Sequence, residues 1–129
     1  MYEIVVRTSF AAAHSIKGYD GPCSRMHGHT WLVEAVLRGG QLDQKGMLVD
    51  FKEVKNILRS AVGELDHQNL NEIKPFAGGS GDSPTAENIA RYLFCRIKPE
   101  IVKLERNIHL AMVRVWESDT AAASYLEVD

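Results

Sequence analysis

The chain has 129 residues, 45% hydrophobic and 25% charged, with a formal net charge of −2. This length fits one domain, so we expect a single unit over residues 1–129. The small negative charge argues against a general surface for nucleic acid or anionic lipid. There are two cysteines and neither an export signal nor an apolar run of about 20 residues. This pattern predicts a reduced, cytoplasmic protein without membrane spans.

The first half of the chain carries two predicted strands and one helix. Alternating apolar and polar side chains predict strands over about 2–14 and 27–38, separated by a loop that contains glycine and proline. A helix is predicted over about 51–62, because apolar residues recur at helical spacing there. Asp50 is a favourable N-cap for this helix, and Gly63 is expected to close it.

The second half is predicted to hold one helix and two strands. Pro84 suits the first position of a helix that reaches Lys98, where Pro99 stops it. Strands over about 107–117 and 122–128 follow. The resulting ββααββ order predicts an α+β fold, an antiparallel sheet with two helices on one face. The edges of so small a sheet are commonly covered by another subunit, so we expect assembly.

Three histidines are predicted to meet at the ends of the first two strands. His27 and His29 are two residues apart, so their imidazoles project from one face of an extended chain. His14 ends the preceding strand, and hairpin pairing of the two strands would bring all three rings together. Three neutral imidazoles with an open fourth position are typical of catalytic zinc. Two alternatives stay open: His27 and His29 are solvated strand residues, or Cys23 is a fourth, structural ligand.

Further groups could act on a substrate near this cluster. Cys23 lies four residues before His27, and a thiol beside a cation has a lowered pKa and can act as base or nucleophile. Asp66 and His67 are a candidate acid–base pair, with simple loop capping as the alternative. Glu117 is either an exposed strand end or a carboxylate that grips a guanidine-like edge of a ligand.

These residues belong to motifs that run in order over nearly the whole chain. The motifs are Phe10-Ala-Ala-Ala-His14, Cys23-x-x-x-His27-Gly-His29, Val49-Asp50-Phe51, Leu65-Asp66-His67-x-x-Leu70-Asn71, Pro84-Thr85-x-Glu87-Asn88 and Glu117. Together they resemble the 6-pyruvoyltetrahydropterin synthase superfamily. The four-residue step from Cys23 to His27 is similar to that of the bacterial 6-carboxytetrahydropterin synthases of queuosine biosynthesis. The loop at 75–83 is longer than in short relatives and does not touch the motifs.

The resemblance implies a fold, an assembly and a reaction. The fold is the tunnelling fold, in which three subunits join their sheets into a barrel and two trimers stack into a homohexamer. The reaction converts 7,8-dihydroneopterin triphosphate to 6-carboxy-5,6,7,8-tetrahydropterin, with release of acetaldehyde and triphosphate. Other branches that make 6-pyruvoyltetrahydropterin or cleave the side chain toward a folate precursor stay open. A non-catalytic pterin- or metal-binding module is a further alternative, although such a binder has no need of a base.

The resemblance also implies a role for each site residue. Zinc would be bound by three imidazoles, those of His14, His27 and His29. Cys23 would be the proton-abstracting base, and His67, oriented by Asp66, would shuttle protons from a neighbouring subunit. Glu117 would anchor the 2-amino and N3 edge of the pterin, with Thr85 as a helper. The triphosphate needs local cations, for which the candidates are Arg25, Lys17 and Arg7.

Overall fold

A computed structural model describes residues 1–19, 21–77 and 82–127, without the side chain of Cys23. The elements in chain order are strands β1 (Tyr2–His14) and β2 (His27–Gly39), helix α1 (Phe51–Gly63), strand β3 (Gln68–Asn69), helix α2 (Ala86–Val102), and strands β4 (Ile108–Ser118) and β5 (Ala121–Tyr125). Short 3-10 turns lie before β2 (Pro22–Ser24) and after β3 (Leu70–Glu72). None of the described helices is long and apolar enough to cross a membrane.

The strands form one sheet in the order β3-β1-β2-β4-β5. β1 and β2 pair antiparallel along their whole lengths, from Tyr2 opposite Gly39 to His14 opposite His27. β4 pairs antiparallel with both β2 and β5. This register places the last residue of β1 beside the first residue of β2, which is where the predicted metal ligands lie.

Both helices pack against one face of this sheet. Alternate strand residues such as Phe10, Trp31 and Val113 join Leu58 of α1 and Leu93 of α2 in a single buried core. Side chains on a strand alternate between faces, so the same alternation that buries Trp31 also directs His29 to the helical side. The predicted α+β fold with two helices on one face is confirmed.

The sheet has one strand more than the four predicted, and that strand is not antiparallel. Gln68 and Asn69 form β3, which runs parallel to β1 at Ala12 and Ala13. A two-residue strand is too short to show alternation in the sequence. Its position depends on where the end of α1 returns the chain to the sheet, which is a tertiary effect.

The predicted limits of α2 are wrong at both ends. Thr85, not Pro84, precedes the helix as its N-cap, and the helix continues through Pro99 to Val102. A proline inside a helix removes one hydrogen bond and crowds the preceding turn. Burial of Ile97 and Ile101 on either side of Pro99 holds the last turn in place, because packing of an apolar face supplies most helix stability in proteins.

Candidate metal centre and active site

Antiparallel pairing of β1 and β2 brings the three predicted histidines together. The ring centroids of His14 and His27 lie 4.6 Å apart, those of His27 and His29 4.7 Å, and those of His14 and His29 5.1 Å. Each ring offers a nitrogen within 4.8 Å of the nitrogens of the other two. We call these residues the three-histidine cluster. Their predicted convergence is confirmed.

Two backbone carbonyls select the tautomers of His14 and His27. Nδ1 of His14 donates to the carbonyl oxygen of Pro84 at 2.7 Å, and Nδ1 of His27 donates to that of Arg25 at 2.6 Å. A carbonyl oxygen can only accept, so the proton of each neutral ring is on Nδ1 and the lone pair is on Nε2. Metal-binding histidines are commonly oriented by such a contact through the second ring nitrogen.

The free nitrogens of the cluster fit a metal ion. Among the described residues, Nε2 of His14 and Nε2 of His29 are buried and have no hydrogen-bond partner. An unpaired buried polar atom costs free energy, which a bound cation would offset. Three imidazole donors also match the ligand set of a catalytic zinc site with one open position. The donor set and the unpaired atoms are therefore compatible with zinc.

Burial keeps His14 and His29 in the form that a metal binds. Desolvation lowers the pKa of His14, with smaller opposing effects from its hydrogen bond to Pro84 and from the charge of Glu117. Desolvation likewise lowers the pKa of His29, and the charge of Glu117 again opposes it. Both rings are thus neutral at pH 7, and a neutral imidazole is the form that ligates metal ions.

Glu117 lies beside the cluster. Its Oε1 is 3.6 Å from Nε2 of His29, and its side chain is 31% exposed. The residue belongs to β4, two residues after the buried Val115, so its side chain shares the helical face of the sheet with His29. The structure therefore brings the predicted substrate anchor next to the predicted metal ligands, with part of the carboxylate open to a ligand.

Asp66 and His67 form a contacting pair at the outer edge of β1. Oδ1 of Asp66 accepts a hydrogen bond from the N–H of Ala11 at 2.9 Å, and Oδ2 lies 3.1 Å from Nδ1 of His67. The N–H of His67 donates to the carbonyl of Ala11 at 2.6 Å, which holds His67 at a φ of 60°. The hydrogen bond from Ala11 is the main cause that lowers the pKa of Asp66, followed by the contact with His67.

This pair is presented to solvent. The side chain of His67 is 83% exposed. It lines an open groove of about 600 Å³ together with small residues of β1 and β2, among them Ala11, Ala13 and Gly28. Within the described part of the chain, no aromatic contact joins His67 to the cluster, although the cluster rings contact one another. The imidazole is therefore free to meet a bound molecule or another subunit.

The remaining two predicted site residues are Thr85 and Cys23. Thr85 is the N-cap of α2, and its Oγ1 accepts a hydrogen bond from the N–H of Asn88 at 3.2 Å. Its neighbour Pro84 contacts His14. Cys23 belongs to the turn Pro22–Ser24, and its side chain lies outside the described residues. Residues 78–81 of the long loop also lie outside them.

Sequence reasoning missed the groups that hold the site in place. Pro84 is 70 residues from His14 in sequence, so no local sequence pattern predicts the contact between its carbonyl and the His14 ring. The side chain of Asn71 accepts from the N–H of Ser15 at 2.8 Å and donates to its carbonyl at 3.0 Å, which fixes the chain directly after His14. Asn71 is the last residue of the motif Leu65-Asp66-His67-x-x-Leu70-Asn71, and its place in that motif could have indicated a role at the site.

Comparison with known proteins adds a family assignment. A family model described as 6-pyruvoyl tetrahydropterin synthase matches residues 3–128. A Pyrococcus furiosus protein named dihydroneopterin monophosphate aldolase is 36% identical over 90% of both chains. A Haemophilus influenzae protein named 6-carboxy-5,6,7,8-tetrahydropterin synthase is 30% identical over 98% of this chain and 100% of its own. The Caenorhabditis elegans 6-pyruvoyl tetrahydropterin synthase structure superposes with a TM-score of 0.83 over 98% of this chain and 96% of its own; at 24% identity it shows the fold alone.

Proposed function

Because the chain belongs to the 6-pyruvoyl tetrahydropterin synthase family, we propose that it is a carbon–carbon lyase acting on a pterin side chain. The proposed reaction converts 7,8-dihydroneopterin triphosphate and water to 6-carboxy-5,6,7,8-tetrahydropterin, acetaldehyde and triphosphate, as a cytoplasmic step of queuosine biosynthesis. The observation that carries the proposal is the three-histidine cluster, with unpaired Nε2 atoms beside Glu117. The similarity to the Haemophilus influenzae synthase along the whole chain supports this product.

His14 and His27 would hold a zinc ion through the Nε2 atoms that their backbone contacts leave free, and His29 through its unpaired Nε2. When bound, such an ion acts as a Lewis acid that polarises oxygen atoms of the substrate side chain and acidifies neighbouring protons. Glu117 would accept hydrogen bonds from the 2-amino and N3 groups of the pterin. Because Glu117 lies next to His29, this contact would orient the pterin ring so that the side chain of the substrate points toward the three-histidine cluster.

Proton transfer would be divided between Cys23 and the Asp66–His67 pair. Oδ2 of Asp66 lies 3.1 Å from Nδ1 of His67, and the ring is exposed, so it would give or take a proton through Nε2. Cys23 would be the base near the substrate carbon. The segment that carries it is tied to the cluster, because His27 donates to the carbonyl of Arg25, two residues after Cys23.

We further propose that the sites are completed in a homohexamer. β1 pairs with β3 only at Ala12 and Ala13, so residues 2–10 have no strand partner on that side within the described ranges. Tyr2 and Val5 on this strand are exposed, at 49% and 46%. An unpaired strand with exposed apolar side chains is suited to pairing with another subunit. The exposed ring of His67 would then reach the pterin bound by a neighbouring copy.

A second candidate is side-chain cleavage toward a folate precursor. It is supported by the 36% identity to the Pyrococcus furiosus protein named dihydroneopterin monophosphate aldolase. The same metal site and pterin anchor would serve both reactions, since both break a bond in the side chain at C6 of the pterin. The two candidates differ in the product released and in the phosphorylation state of the substrate.

The first test is product analysis with the zinc-loaded protein. Incubation with 7,8-dihydroneopterin triphosphate is expected to release 6-carboxytetrahydropterin and acetaldehyde, detected by liquid chromatography with mass spectrometry. A parallel incubation with dihydroneopterin monophosphate tests the aldolase. Formation of only 6-hydroxymethyl- or 6-pyruvoylpterin would contradict the proposed reaction, and binding without turnover of either substrate would favour a non-catalytic module.

Glu117→Gln is expected to weaken pterin binding without altering zinc affinity. The amide keeps one acceptor oxygen but loses the charge, and hydrogen bonds to charged groups contribute about 1.5–3 kcal/mol. We expect the Kd of the pterin to rise roughly 10- to 150-fold, measured by fluorescence titration. Glu53→Gln, at an exposed position of α1, is the matched control. An equal fall in zinc affinity would instead assign Glu117 to the metal site, where it would orient His29.

A further inference from the structure

His14 makes a contact that links the cluster to the start of α2. The side chain is fully buried, and its Nδ1 donates to the carbonyl of Pro84 at 2.7 Å. This hydrogen bond is the only one that the described residues provide to the ring, because Nε2 has no partner. The direction of the Pro84 carbonyl therefore determines both the tautomer of His14 and the direction of its free nitrogen.

The segment that carries this carbonyl is held from both sides by one residue. Nδ2 of Asn88 donates to the carbonyl of Ser83 at 2.8 Å, immediately before Pro84. The backbone N–H of Asn88 donates to Oγ1 of Thr85, immediately after Pro84. A further bond from the N–H of Thr85 to the carbonyl of Ser83 closes the turn. Asn88 thus fixes the two residues between which the Pro84 peptide must lie.

We propose that Asn88 is a positioning residue for the metal site, which acts on His14 through Pro84. The proposal rests on the proposed zinc-binding role of the three-histidine cluster. Asn88 does not itself contact the cluster through any hydrogen bond in the described part of the chain. Its side-chain amide holds the turn Ser83–Thr85 so that the Pro84 carbonyl meets Nδ1 of His14 and Nε2 stays available to the ion.

If Asn88 only stabilised the start of α2, its substitution would have a different effect from the one that the positioning role predicts. Asn88 occupies the third position of α2, where an aspartate is as acceptable as an asparagine and interacts favourably with the helix dipole. Asn88→Asp therefore preserves the helix start and nearly the same side-chain volume. The carboxylate cannot donate to the carbonyl of Ser83 and repels it, so the turn that carries Pro84 is released.

The test compares zinc binding by the wild-type protein, Asn88→Asp and Asn88→Ala, measured by competition with a chromophoric chelator. We expect the zinc Kd to rise about 10- to 100-fold in both variants, the effect typical of losing an outer partner of a metal ligand. Asp50→Ala is the matched control, because Asp50 caps α1 by accepting from the N–H of Lys52. It is expected to lower the Tm and leave the zinc Kd unchanged.

A second measurement needs no metal. Nitrogen-15 NMR of the metal-free protein is expected to show His14 with its proton on Nδ1, and Asn88→Asp is expected to add the Nε2-protonated form. A zinc Kd within twofold of wild type in Asn88→Asp, or an unchanged His14 tautomer, would overturn the role of Asn88 while leaving the cluster as a zinc site. A wild-type protein that binds no zinc would overturn the site and the role of Asn88 together.

Discussion

His27→Ala is expected to lose zinc and, with it, turnover. The variant keeps two imidazoles, whereas a catalytic zinc site takes three protein ligands. We expect the zinc Kd to rise by more than the roughly 100-fold that an outer partner can cost. His27 suits this test better than the fully buried His14, because its ring makes one exposed hydrogen bond, to Arg25, and its loss leaves the core intact.

The measurement is metal content after dialysis, together with product formation at saturating substrate. His109→Ala is the matched control, since His109 is an exposed histidine on β4 that contributes nothing to the cluster. The control is expected to match wild type in zinc content and rate. Retention of one zinc ion per chain at wild-type affinity by His27→Ala would show that the cluster is not the metal site.

Cys23→Ala is expected to retain zinc and pterin binding but to lose most turnover. A positioned acid or base contributes about 10²- to 10⁴-fold to rate, so kcat is expected to fall by that factor. The hydrogen bond from Nδ1 of His27 to the carbonyl of Arg25 does not involve the cysteine side chain, so the cluster should persist in the variant. The measurement is kcat from the product assay, with zinc content and pterin Kd determined on the same preparation.

Cys95→Ala controls for the loss of a thiol in general, because Cys95 is free and exposed on α2. Its kcat is expected to equal that of wild type. Unchanged turnover in Cys23→Ala would remove this residue from the mechanism. Loss of zinc from Cys23→Ala would support the alternative that the thiol is a fourth ligand, which would make the site structural.

Much of the fold could be predicted from local periodicity in the sequence. The alternation along β1 and β2 placed His14, His27 and His29 on one face, and the structure brings their rings together. The N-cap at Asp50 was also recognised, because a cap is a property of a few adjacent residues. Such features depend on neighbours in the sequence and can therefore be read from it.

The limits of α2 and the existence of β3 depend on contacts with residues that are distant in the sequence. Pro99 is unfavourable within a helix by local rules, yet Ile101 beyond it is buried in the core, and this packing continues the helix. Gln68 and Asn69 pair with β1 because α1 ends beside that edge of the sheet. Neither outcome follows from the local pattern, since the energies that decide it come from residues far away in sequence.

The sequence by itself determined which residue types meet at the ends of β1 and β2, since strand alternation and antiparallel pairing are local rules. Only the tertiary structure decided how those residues are held. The Pro84 carbonyl orients His14 across 70 residues, the Ala11 backbone binds Asp66 across 55, and Glu117 meets His29 through the register of β2 and β4. These contacts form when the packed helices and sheet bring distant segments within hydrogen-bond reach, which no spacing in the chain encodes.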